Sequence, residues 1–94
     1  MDMLSNKFLV KKLSAHDGPH FLYRFPNDYG ASIVCHSFSY GGEEGLFELA
    51  VIVWENENDY KLVYDTPVTD DVLEWLTPAD CEKYLTEVEN LGQY

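Results

Sequence analysis

The sequence predicts an α+β fold: an antiparallel meander of about five strands, followed by a short and a longer C-terminal helix packed on one face. Two observations lead to this prediction. Before residue 65, apolar side chains alternate with polar ones or form short runs between turn residues, which is typical of strands. After Pro67, apolar residues recur at helical spacing instead. The 94 residues suit a single domain, and no repeat or linker divides them.

The central strand is predicted at residues 46–54, where eight of nine side chains are apolar. A glycine-rich stretch at 41–45 and a polar stretch at 55–59 bound it, and its length suits a strand better than a helix. The first predicted strand carries lysines, which discourage pairing with other molecules at a sheet edge. The four remaining strands are predicted at residues 7–13, 20–25, 31–38 and 60–64.

Two helices are predicted after the strands. Thr69 caps the first, a short segment over residues 70–76 whose initial acids suit the positive end of a helix dipole. The second starts with the Thr, Pro and Asp of a capped terminus and presents one apolar arc to the sheet. The capping residues are Thr77 at the N-cap, Pro78 at N1 and Asp80 at N3, and the helix is expected to end near Leu91, before Gly92. The apolar arc consists of Cys81, Tyr84, Leu85, Val88 and Leu91.

The net charge of −11 is concentrated in the second half of the chain. Residues 1–42 hold four basic and three acidic side chains, a net charge of +1, whereas residues 43–94 hold two basic and fourteen acidic ones, a net charge of −12. Such a surface repels a nucleic-acid backbone and an anionic membrane, and it attracts a basic protein surface. No export signal or membrane-length apolar run is visible, so we expect a cytoplasmic protein.

Histidines and cysteines suggest no catalytic or metal site. His16 and His20 are four residues apart, but the intervening Gly-Pro makes a shared helix face improbable, and further ligands are lacking. Cys35 and His36 are neighbours on a predicted strand, so their side chains point to opposite faces and cannot act as a thiolate–imidazole pair. Cys35 and Cys81 are expected to be free, buried thiols.

Two loops also lack a site signature. The stretch 41–45 has no Lys-Ser/Thr pair and holds two glutamates, which would repel phosphate. Residues 55–59 alternate oxygen ligands, but they lack the glycine and the terminal bidentate glutamate of a calcium-binding EF-hand loop. We therefore predict no catalytic residue, no metal and no cofactor.

The acids themselves are the candidate binding residues. Carboxylates spread over a rigid convex surface can imitate a phosphate backbone and occupy the basic groove of a nucleic-acid enzyme. Tyr40 is the candidate aromatic anchor among them. The predicted partner-binding residues are Tyr40, Glu43, Glu44, Asp70, Asp71, Glu74, Asp80, Glu82 and Glu87.

Three segments resemble a small uncharacterised protein family of bacteriophages: residues 29–34, residues 39–42 together with 46–51, and residues 64–72. They cover about the middle half of the chain and carry no catalytic motif. The resemblance implies a phage-encoded protein that acts inside a bacterial cell. Small acidic phage proteins often counter host restriction, CRISPR or recombination enzymes, and this association agrees with the charge.

The sequence thus favours a non-enzymatic inhibitor or modulator that binds a basic surface on a host nucleic-acid-handling enzyme. An immunity protein for a basic nuclease toxin would show the same chemistry. A small-ligand or ion-binding domain is a third possibility, with the aromatic face of the sheet as its pocket. An enzyme is the least favoured class, because the sequence shows no recognisable nucleophile–base pair and no recognisable set of metal ligands. A homodimer through an open sheet edge is compatible with each class.

Overall fold

The computed structural model describes residues 7–15, 18–35, 45–69 and 71–94, and within them it confirms an α+β fold with a single C-terminal helix. In the same ranges, no helix has the length and apolar character that a membrane span requires. The elements are β1 (Leu9–Ala15), β2 (Gly18–Arg24), β3 (Tyr29–Val34), β4 (Phe47–Trp54), β5 (Tyr60–Leu62), β6 (Leu73–Leu76) and α1 (Pro78–Glu89).

The six strands form one antiparallel sheet in which β1 to β5 lie side by side in chain order, as the predicted meander requires. β4 is central: β3 pairs with one of its edges, and two short strands share the other. β5 pairs with the end of β4, from Ile52 to Trp54, and β6 pairs with its beginning, from Phe47 to Leu49. The strand predicted at residues 46–54 to be central is therefore β4, the central strand of the observed sheet.

Helix α1 covers one face of the sheet. Because strand side chains alternate between faces, the aromatic side chains of Phe21, Tyr23 and Phe25 all turn toward the helix and are buried there. Cys81, Leu85 and Val88 meet them from α1, which confirms most of the predicted apolar arc. The buried core under the helix consists of Phe21, Tyr23, Phe25, Ala31, Ile33, Leu49, Val51, Val53, Val63, Leu76, Cys81, Leu85 and Val88.

The other face carries a smaller apolar cluster of Leu22, Ile52 and Trp54, against which Tyr60 packs. The Trp54 indole lies across Gly30, and its Nε1 donates a hydrogen bond to the backbone carbonyl of Tyr23 at 2.8 Å. No described helix or strand covers this face. The Trp54 indole packs over part of it instead.

The predicted short helix over residues 70–76 is wrong, because residues 73–76 form strand β6. Two side chains bond to the backbone just before this strand: the Thr69 hydroxyl accepts a hydrogen bond from the N–H of Asp71, and the Asp71 carboxylate accepts one from the N–H of Val72. A helix of two turns gains little by itself, whereas the beginning of β4 offers an open edge with which the segment pairs.

The N-terminus of α1 is formed as predicted. The Thr77 hydroxyl accepts a hydrogen bond from the N–H of Asp80 at 3.2 Å, and the Asp80 carboxylate accepts one from the N–H of Thr77 at 3.0 Å. Pro78 follows at the first helical position. This reciprocal capping box satisfies two backbone donors that a helix start otherwise leaves without partners.

The C-terminus of α1 differs from the prediction. The helix ends at Glu89 rather than near Leu91, and the C-cap is Asn90 at φ −89° instead of a glycine stop. A buried side chain from the β2–β3 turn satisfies the last carbonyls: the Asn27 amide donates to the carbonyl oxygens of Val88, Glu89 and Leu91 at 2.9, 3.2 and 2.9 Å. The turn between two strands therefore fixes the end of the helix over the sheet.

Candidate functional site

The predicted binding residues divide into those that the structure describes and those that it does not. Tyr40, Glu43, Glu44 and Asp70 lie outside the described residues. The other five lie in the last third of the chain, before β6, on β6 and on α1. These are Asp71, Glu74, Asp80, Glu82 and Glu87.

Asp80 has a structural task. Hydrogen bonds from the backbone N–H and from the side chain of Thr77 lower the pKa of its carboxyl group, and Lys83 adds a smaller electrostatic effect in the same direction. Because this carboxylate completes the capping box, its removal would weaken the helix as well as any interface. Asp80 is therefore the least suitable of the predicted residues for a binding test.

The acids of α1 lie on two flanks of its buried stripe. At about 100° per residue, Glu82 and Glu89 point to one side, and Asp80 and Glu87 point to the other. Glu82 and Glu89 line an open depression of about 280 Å³, together with Phe25, Leu85 and Thr86. The helix thus presents two acidic rows separated by its packing face, and the predicted residues do not all meet on one surface.

Most of these acids form no ion pair with a described lysine or arginine. Among the described residues, the single ion pair of a lysine or arginine joins Arg24 to Asp28, at 3.6 Å. Four lysines instead extend over aromatic rings, where the ammonium group interacts with the π face. These pairs are Lys7 with Phe8, Lys12 with Phe21, Lys61 with Tyr94 and Lys83 with Tyr84.

The polar turn between β4 and β5 is rigid and acidic. The Asn56 side chain accepts hydrogen bonds from the N–H groups of Asn58 and Asp59, and its amide donates to the Asp59 carboxylate at 2.9 Å. Glu55 and Glu57 are exposed on this fixed backbone. Across the described residues, no group of three or more His, Cys, Asp or Glu side chains is arranged to hold a metal ion.

Trp75 is a candidate that sequence reasoning missed. It lies on β6 with 52% of its surface exposed and with a positive φ of 61°, which bulky residues rarely adopt. In the sequence it falls inside an apparently helical pattern, and no local signal marks it as exposed. Its environment becomes visible only once β6 is placed beside β4.

The thiols do not form a reactive centre. Burial raises the pKa of the Cys81 thiol to about 12, with smaller contributions from Asp80 and Cys35. Cys81 is therefore a protonated core residue at neutral pH, and not a nucleophile. Neither Cys35 nor Cys81 is in a disulfide, as predicted, although Cys35 is only half-buried.

The aromatic face of β2 is filled rather than open. Tyr23 is completely buried, and Phe21 and Phe25 retain 4% and 2% of their surfaces exposed. Cys81, Leu85 and Val88 of α1 pack against these rings.

No family model, no curated protein and no solved structure matches this chain. The resemblance to a phage family, and the partner that it implies, therefore stay predictions. The function has to be argued from charge and geometry.

Proposed function

We propose that this protein is a non-enzymatic, phage-encoded binding protein that inhibits or modulates a nucleic-acid-handling enzyme in the cytoplasm of a bacterial host. Its carboxylates take the place of nucleic-acid phosphates on a basic surface of that enzyme. It does not contact nucleic acid or a membrane directly, because both carry negative charge.

The observation that carries this proposal is the unbalanced charge of the exposed carboxylates. Within the described ranges, one carboxylate has an arginine partner and none has a lysine partner. Side chains that are both exposed and unneutralised attract a basic surface over several ångströms and keep most of their hydration until contact. The exposed acids are Glu55, Glu57, Asp59, Asp65, Asp71, Glu82 and Glu89.

The fold presents these carboxylates on fixed backbone. The Asn56 turn, the hydrogen-bonded turn at Asp71 and the capped helix hold their Cα positions, so little backbone entropy is lost on binding. Charge complementarity of this kind accelerates association and makes it sensitive to salt. A basic groove filled in this way is closed to its nucleic acid.

The test begins with capture of host proteins on the immobilised protein from a bacterial lysate, at about 50 mM and about 500 mM NaCl. We expect a nucleic-acid enzyme to be retained only at the lower salt, because screening weakens exposed charge pairs. The purified enzyme should then lose its binding to a labelled duplex when this protein is added, as followed by fluorescence anisotropy.

Two charge variants identify the surface. Reversal of Asp71, Glu82 and Glu87 to lysine should weaken binding at least tenfold, since attractive contacts become repulsive whichever flank of α1 faces the partner. Reversal of Lys7, Lys11 and Lys12 to glutamate on the β1 side should leave it unchanged or slightly stronger. Undiminished binding by the folded acidic-site variant would rule out the proposal.

A further inference from the structure

We propose that Trp75 is the aromatic anchor of the acidic binding surface, and that it stacks against an arginine side chain of the basic partner. This inference rests on the proposed function, and it names both the contact residue and the side chain that it receives. Tyr40 was the anchor expected from the sequence, but it lies outside the described residues.

The pairing of β6 with β4 leaves Trp75 outside the core under α1. Leu73 pairs with Leu49 and Leu76 pairs with Phe47, so two residues of β6 lie opposite one residue of β4. All four of these side chains pack against the core under α1. Glu74 and Trp75 therefore form a bulge with one extra residue, neither of them belongs to that core, and such bulges re-aim side chains.

The backbone at Trp75 is strained without a local reason. A left-handed bulge position is usually filled by glycine, because an L side chain there crowds the following carbonyl. Asp28, the other described non-glycine residue with positive φ, lies in a tight turn, where short polar residues are tolerated. A tryptophan has no such tolerance, and 52% of its surface remains exposed. Strain combined with exposure is typical of residues that are held for binding.

The surroundings of Trp75 favour a cation. Glu74 precedes it directly, and Asp71 lies at the start of the same segment. The nearest lysine on this edge of the sheet, Lys61 of β5, extends over the Tyr94 ring. An exposed indole in a segment with two acidic side chains suits an arginine, whose planar guanidinium can stack on a ring while its N–H groups donate to a carboxylate.

A second exposed apolar side chain extends the surface along the same edge. Leu62 pairs with Ile52, which faces away from the helix, and 46% of its surface is exposed. Glu48, opposite the bulge, lies four residues of β4 from Ile52, so the two apolar contacts are about 13 Å apart. Two exposed apolar side chains at this spacing suit the apolar core of a protein interface.

The test uses two synthetic peptides of equal length and charge, one rich in arginine and one rich in lysine. The indole N–H signals of the two tryptophans are followed by NMR at low salt. We expect the Trp75 signal to shift on addition of the arginine peptide, whereas the Trp54 signal, held by the Tyr23 carbonyl, stays in place. The lysine peptide should bind more weakly.

Substitutions of Trp75 distinguish the contribution of its side chain to binding from the contribution of the carboxylates. Trp75→Ala and Trp75→Gly should each weaken arginine-peptide binding about tenfold, and Tyr94→Ala, which truncates a comparably exposed aromatic residue, should not. Trp75→Gly should melt at a higher temperature than Trp75→Ala, because both lose the same packing and only glycine accepts the left-handed backbone. An equal binding defect in two variants of different stability cannot be ascribed to loss of the fold.

Three results would overturn the inference. If both Trp75 variants bind the arginine peptide as tightly as the wild-type protein, the anchor is excluded while charge-driven binding stands. Equal affinity for the two peptides would exclude arginine stacking in the same way. If the wild-type protein binds neither peptide at low salt, the proposed function fails together with the inference.

Discussion

Gly30 allows a tryptophan to close the uncovered face of the sheet. A Cβ atom at this position would collide with the Tyr23 carbonyl oxygen and would lie 2.6 Å from Trp54 Nε1. These are the two atoms that the buried indole hydrogen bond joins. The absence of a side chain here therefore preserves both a packing contact and a buried polar contact.

Gly30→Ala should lower the free energy of unfolding by at least about 3 kcal/mol, through overpacking together with loss of the indole hydrogen bond. Chemical denaturation with tryptophan fluorescence measures both the stability and the displacement of Trp54. Gly92→Ala is the matched control, since nothing lies within 4 Å of a Cβ at that position, and it should change stability little. Equal effects of the two substitutions would contradict this account.

Residues that act through distant partners are the ones that sequence reasoning overlooks. Asn27 reads as an ordinary turn residue, and only the fold brings its amide to the carbonyls of Val88 and Leu91. Gly30 likewise looks like an ordinary glycine at the end of a turn, although the side chain that it contacts, Trp54, is 24 positions along the chain. Neither the Asn27 contact nor the Gly30 contact produces a recognisable pattern in the neighbouring sequence.

At the scale of elements, the C-terminal end of α1 depends on the turn between β2 and β3. The last turn of the helix has no basic residue, and Glu87 and Glu89 place negative charge at the negative end of the helix dipole. The Asn27 amide supplies hydrogen-bond donors at this end instead. The turn residue thus compensates for an unfavourable distribution of charge in the helix.

Asn27→Ala should reduce the free energy of unfolding by about 2–3 kcal/mol, because it leaves carbonyls at the helix end without their donor. Asn27→Asp should be worse at pH 7, since it directs a carboxylate at carbonyl oxygens and at the helix dipole. This packing raises the pKa of the introduced carboxyl group above its unfolded value, so the deficit should shrink as the pH falls through the folded pKa.

Urea unfolding at about pH 7 and about pH 5 measures both effects. Asn58→Asp adds the same charge at an exposed position in the β4–β5 turn and serves as the control. If Asn27→Asp is no less stable than Asn58→Asp at neutral pH, the contribution of the Asn27 side chain has been misassigned.

Elements defined by a local pattern were predictable, and the element defined by pairing was not. Strands β1 to β5 follow from alternation and turn residues, and α1 follows from the capping pattern that begins at Thr77. Strand β6 exists because β4 leaves the edge at Phe47 open, a fact that residues 70–76 do not contain. The predicted acidic residues were visible as charges, but their division into two flanks of α1 depended on the packing of the helix.

At the scale of the whole molecule, the net charge of −11 opposes the compact state. Compensation is slight, since Arg24–Asp28 is the one ion pair among the described residues that involves a lysine or arginine. Folding brings the remaining carboxylates closer together than they are in the unfolded chain. The surface that we propose for binding therefore lowers the stability of the free protein.

The melting temperature should rise when NaCl is increased from about 20 mM to about 300 mM, because screening weakens the mutual repulsion of the acids. Scanning calorimetry measures the shift. The double variant Glu55→Gln/Glu57→Gln should melt at a higher temperature than the wild-type protein at low salt and respond less to added salt. A melting temperature that falls over this range would show that favourable ion pairs outweigh the repulsion.

The division of one β4 edge between β5 and β6 has a consequence for self-association. Amyloid-like stacking and dimerisation by strand addition both need a long, flat row of free backbone donors and acceptors. On this side of the sheet the outermost strands are three and four residues long, and the second is bulged. On the other side, β1 carries Lys11 and Lys12, which would face like charges in a symmetric pair. Both margins of the sheet therefore disfavour a second copy, and we expect separate chains even in concentrated solution.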